Sequence, residues 1–146
     1  MLNPMNSWTT RGRRVLTLLF VAAAAASCST DNSFLTPTPA NTTPIFETYA
    51  GTLTANGAAT YSFVVTAAGL VTATLTSVAP DNTIAIGVAL GTWNGLTCQI
   101  VLPNDKTLQG AGVTGSVNTA GSLCVRVYDV GNVTDPLTYE VKVQHL

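Results

Sequence analysis

From Ile45 onward, apolar and polar residues alternate with a period of two in one segment after another. The cleanest is "LTYEVKVQ", in which Leu137, Tyr139, Val141 and Val143 alternate with Thr138, Glu140, Lys142 and Gln144. Successive side chains of an extended strand point to opposite faces, so this spacing makes one buried face and one wetted face. In "LVTATLTS", Val71, Ala73 and Leu75 share one face and Thr72, Thr74 and Thr76 the other. "TIAIGVALG" sets Ile84, Ile86, Val88 and Leu90 against Ala85, Gly87 and Ala89. "AATYSFVV" (58–65) is a further strand. Turn-forming residues separate the runs at "TANG", "APDN", "TWNG", "PND", "NTAG" and "GNVTDP". No helical period of 3.6 occurs in this region. Short strands at regular spacing joined by Gly, Asn and Pro turns predict an all-β fold, a single antiparallel β-sandwich over residues 45–146.

The chain before Ile45 has a different organisation. Arg11, Arg13 and Arg14 form a basic patch, and no acidic residue precedes Asp31. The uncharged run "VLTLLFVAAAAA" (15–26) follows and ends at Ser27-Cys28. A basic start, a short apolar middle and small residues at a boundary describe a signal peptide over residues 1–27. The run is shorter than the ~20 apolar residues a spanning helix needs. "AASC" resembles the bacterial lipoprotein box, whose cysteine receives lipid and becomes the new N-terminus. Ala25 stands where that box prefers Leu, which leaves ordinary cleavage near Ala26 or Ser27 as the alternative. Lipid on Cys28 would place the protein on a membrane of the cell envelope. With Ser29 next, Gram-negative lipoproteins of this type go to the outer membrane; ordinary cleavage would give a secreted protein. Residues 28–44, rich in Thr, Asn and Ser with Pro37, Pro39 and Pro44, cannot sustain a helix and read as a disordered tether.

Removal of the signal peptide leaves three cations (Lys106, Arg126, Lys142) against seven acids, a net charge of −4. Without a basic stripe for a phosphate backbone, nucleic-acid binding is excluded. Charged residues are 9% of the chain against a usual ~25%, so Thr, Ser and Asn must supply the polar surface. Of the three cysteines, an oxidising compartment favours pairing Cys98 with Cys124 and leaves Cys28 for modification. Cys98 is expected on a strand face with Ile100 and Leu102. Cys124 is expected beside Arg126 and Tyr128, with Leu123, Val125 and Val127 opposite. A bridge then requires the two strands to be neighbours or to face each other. Two separate buried thiols are the alternative.

The succession "AGTL" (50–53), "ATYSFVV", "GLVTATLT", "AGSLCVRVYDVG" (120–131) and "LTYEVKV" resembles the bacterial pre-peptidase C-terminal domain. The resemblance spans roughly Ile45 to Leu146 and rests mainly on strand patterns, with "YSFVV" and "VRVYD" its most characteristic stretches. It implies a jelly-roll-like sandwich of the kind usually attached to secreted peptidases. No peptidase precedes the module in this sequence, so it implies a copy working alone on a tether. Related collagen-binding modules hold calcium with an acidic N-terminal linker. Here that region offers only Asp31 and Glu47, and Asp81, Asp105, Asp129 and Asp135 are scattered over separate turns, so no metal is expected.

Catalytic constellations are equally thin. His145, the single histidine, is next to last in the sequence and reads as a solvated strand end, unsuited to orienting a nucleophile. Asp129 and Asp135 flank "VGNVT" and read as turn residues rather than paired acids. No cofactor motif is present. The expectation is a non-enzymatic module, with two functions open. One is a binding or adhesion module that recognises protein or polysaccharide. Its candidate contact is Trp93 in "GTWNGLTC", an aromatic able to stack on a sugar or anchor a partner unless it closes one end of the sandwich. The other is an accessory envelope component, a spacer or assembly helper without a specific ligand.

Overall fold

The computed structural model describes residues 43–146; the expected signal peptide, Cys28 and the expected tether as far as residue 42 lie outside them. The described chain forms eight strands: β1 (Ile45–Leu53), β2 (Ala58–Val65), β3 (Gly69–Ala79), β4 (Ile86–Trp93), β5 (Cys98–Thr107), β6 (Gly112–Val117), β7 (Gly121–Tyr128) and β8 (Leu137–His145). They make two four-stranded antiparallel sheets, ordered β1-β8-β3-β6 and β2-β7-β4-β5. The pairing follows one rule. β4 pairs with β5, β3 with β6, β2 with β7 and β1 with β8, so the first half of the chain meets the second half in reverse order. An eight-stranded ribbon wound in this way into two sheets is a jelly roll.

Alternation places the core. Val71, Ala73 and Leu75 of β3, Ile86, Val88 and Leu90 of β4, Val125 and Val127 of β7, and Leu137, Tyr139, Val141 and Val143 of β8 fill the space between the sheets. The "TANG" turn closes as read, with Gly57 N–H donating to the Thr54 carbonyl at 2.8 Å and Asn56 at φ 56°, a left-handed conformation asparagine tolerates. The "PND" turn does not form; Pro103, Asn104 and Asp105 lie inside β5. β5 is an edge strand, where a missing proline N–H is tolerated. The turn chemistry survives as an irregularity, because Val88 pairs with Asn104 but Ile86 pairs with Thr107.

A second irregularity in β5 corrects the expected face of Leu102. Leu90 pairs with Leu102 and Gly91 with Ile100, which makes Val101 an extra residue, a β-bulge. Leu102 therefore turns inward against Gly115, while Ile100 stays on the outward face with Cys98.

His145 is also corrected. It is 1% exposed, because β1 and β8 pair along their full lengths and Ile45 lies opposite it. Its Nε2 lies 2.9 Å from Glu47 Oε1, and its ring stacks on Phe63 at 5.3 Å. Glu47 also accepts a hydrogen bond from Tyr49, whose ring stacks on Tyr61 at 4.7 Å. The hydroxyls of Tyr61 and Tyr139 are 2.8 Å apart. Burial raises the phenols of Tyr49 and Tyr139 above the ordinary tyrosine value, with these hydrogen bonds adding to the effect. The cluster packs across the β1/β2 side of the sandwich, where no backbone ladder joins the two sheets.

Candidate functional site

The outward face of the β2-β7-β4-β5 sheet rests on a strip of small residues. Gly87, Ala89 and Gly91 of β4 stand in register with Tyr128, Arg126 and Cys124 of β7. Nothing larger than a methyl rises outward from this stretch of β4, so bulkier neighbours fold over it. Tyr128 lies over Gly87 closely enough that a Cβ there would meet its ring at 2.4 Å. Its hydroxyl donates to Asp105 of β5. Burial, and then this hydrogen bond, raises the phenol to about 12, so it stays protonated at neutral pH. The Arg126 guanidinium carbon is 6.0 Å from the Tyr128 ring centroid, at the limit of a cation–π contact.

The disulfide crosses the same strip. Cys98 and Cys124 are bridged, with Cα atoms 5.8 Å apart. Their strands neither neighbour nor face each other, as the sequence argument required, but flank β4 in one sheet. The bridge passes beside Gly91, where a Cβ would stand 3.1 Å from Cys98 Sγ and only 2.2 Å from the Gln99 carbonyl oxygen. Here glycine is needed for close approach.

Trp93 ends β4 opposite Cys98 on this outward face and lies outside the core cluster. It belongs to the strand; the turn proper is Asn94 to Thr97, where Asn94 Oδ1 accepts from the N–H groups of Leu96 and Thr97. The half-buried indole lines a groove of about 290 Å³ with Thr60, Leu96, Thr97, Cys98 and Arg126. That lies near the lower end of the ~300–1,000 Å³ typical of small-ligand sites. Among the described residues, nothing hydrogen-bonds or ion-pairs with the Arg126 guanidinium, and its Nε is buried without a partner. Such a group costs roughly 1–3 kcal/mol when left unsatisfied. The sequence singled out Trp93 but treated Arg126 and Tyr128 only as face-mates of Cys124. The glycine and alanine strip opposite them was the available signal.

Beyond Tyr128 the face continues into a wider polar depression lined by Asp105, Lys106, Asp129 and Asn132. Asp129 is occupied there. Its Oδ2 accepts from Asn56 N–H at 2.8 Å, and its Oδ1 from the N–H groups of Gly131, Asn132 and Val133. These donors, the Asn56 amide first, hold its carboxyl below the usual range. A third recess, about 120 Å³, opens between the β5 and β6 edges and is lined mainly by apolar groups such as Val71, Leu102 and Val117. Among the described residues, no three His, Cys, Asp or Glu side chains gather as a metal site. The chain matches no protein-family model and no curated protein.

Proposed function

We propose that this chain is a non-catalytic binding module, tethered to the cell envelope by lipid on Cys28, that takes a polysaccharide on the outward face of the β2-β7-β4-β5 sheet. The outer membrane is its place if the cell is Gram-negative. The module is of the pre-peptidase C-terminal type. One observation carries the binding reading: a half-buried Trp93 shares an open groove with a guanidinium that has no partner in the described domain. An indole offers a flat apolar surface for the C–H face of a sugar, and Thr60, Thr97 and Arg126 supply polar groups around it. A protein partner of standard size would engage roughly 20–30 residues of this chain, and the groove itself is lined by seven. The commitment of Asp129 to four backbone amides, and of His145 to Glu47 and Phe63, supports a role without catalysis.

The test is a panel of immobilised polysaccharides probed with the purified full chain in detergent. At least one should bind, and Trp93→Ala should weaken it by about tenfold, roughly 1.4 kcal/mol, while thermal unfolding stays nearly unchanged. A silent panel with a co-purifying protein would replace the sugar by a protein ligand. Silence in both assays would leave a spacer role.

A further inference from the structure

We infer that the groove beside Trp93 selects sugars that carry a carboxylate, and that Arg126 is the residue that reads the charge. The inference rests on the polysaccharide reading above and narrows it to acidic, uronate-type polymers. Arginine is the side chain best matched to a carboxylate, because its planar guanidinium presents parallel N–H donors. In most folded proteins a half-buried arginine is already paired. Here none of the described acids reaches it: Asp105 accepts from Tyr128, and Asp129 is taken up by backbone amides. The Tyr128 ring, fixed over Gly87, sets one side of the guanidinium, and the groove that holds Trp93 sets the other. Its Nε is covered by protein, so the Nη edge is the part a ligand meets.

The surroundings decide which anion fits. Residues 43–146 carry three cations and six acids, a net charge of −3. A ligand as densely charged as duplex DNA, with one charge per ~1.7 Å, would be repelled over most of this surface, and a sugar chain with at most one carboxylate per residue less so. A sugar with a single carboxylate, seated by stacking on Trp93, needs only the one guanidinium. Specificity then arises from a local contact rather than from long-range attraction.

Polygalacturonate, alginate and hyaluronan, each beside its carboxyl-reduced neutral form, test this with the full chain in detergent. At least one acid polymer should bind about tenfold more tightly than its reduced form. Arg126→Gln should erase that difference without changing the unfolding midpoint, and Arg126→Lys should restore only part of it. Equal binding of the acid and reduced forms, lost in Trp93→Ala, would overturn the carboxylate inference and leave the polysaccharide reading standing. Binding of neutral polymers alone would do the same. No binding to any polysaccharide, acid or neutral, would overturn both. Because the acid-to-neutral ratio is measured on the unmodified protein, the result does not depend on any variant folding.

Discussion

Gly91 is hemmed in from one side by the Gln99 carbonyl and from another by the Cys98 sulfur. A methyl there would stand 2.2 Å from a backbone oxygen, which cannot rotate away as a side chain could. Gly91→Ala is therefore expected to push β5 off β4 and lower stability by ~2–4 kcal/mol, at the upper end of overpacking effects. Urea unfolding would measure it, and a midpoint like that of the unmodified chain would show that β5 yields freely. Residue identity alone did not announce this position, because Gly91 reads as one more small residue in "TIAIGVALG". Arg126 and Tyr128 were hidden in a similar way. Alternation put them on the outward face, and only the register with Gly87 and Ala89 shows that they fold over open sheet.

Strands with unbroken alternation were legible, and strands with insertions were not. β8 and the first half of β3 bury the residues their period assigns. β5 does not, because Val101 is an extra residue and Asp105 and Lys106 together oppose the single Gly87, so each bulge reverses the facing on either side of it. The "PND" triplet misled for this reason: a bulge uses much the same local chemistry as a turn. Loop anchoring was legible only in part. Asp129 was expected to serve a turn, but its bond to Asn56, 73 positions away, fastens the β7–β8 loop to the β1–β2 turn. Its carboxyl titrates below the ordinary value, so the native state favours the ionised form. That contribution to stability is complete above the unfolded carboxylate value of ~3.9 and is lost as pH falls through the depressed native one. Asp129→Asn should lower the melting temperature at neutral pH and flatten the fall in stability below pH ~4. Parallel melting curves for the two proteins across that acid range would refute the anchoring role.

At the scale of the molecule, period-two patterning says which face a residue takes but not which strand lies beside it. The reversed pairing of β1–β4 with β8–β5 depends on contacts up to 100 residues apart, such as Ile45 with His145. Winding of this kind is slow, because long loops must close before distant pairs form. The Cys98–Cys124 bridge bears on that cost. It ties β5, in the innermost hairpin, to β7 across the intervening β4, and it encloses β6 in a loop with a sequence separation of 26. Closing such a loop in the unfolded chain stabilises the fold by roughly 3 kcal/mol, a large part of the ~5–15 kcal/mol typical of a domain. The double variant Cys98→Ser with Cys124→Ser should therefore unfold on the order of 10–20 °C lower than the unmodified protein. It should retain the sandwich, whose core residues lie on the other side of the sheet from the bridge. Because Cys98 also lines the groove beside Trp93, the proposed polysaccharide binding should weaken in the same variant even where it is fully folded. Differential scanning calorimetry, paired with a binding measurement well below the transition, separates the two effects. An unchanged melting temperature would mean that the unfolded chain is already restricted without the bridge, and unchanged affinity would remove the disulfide from the binding face.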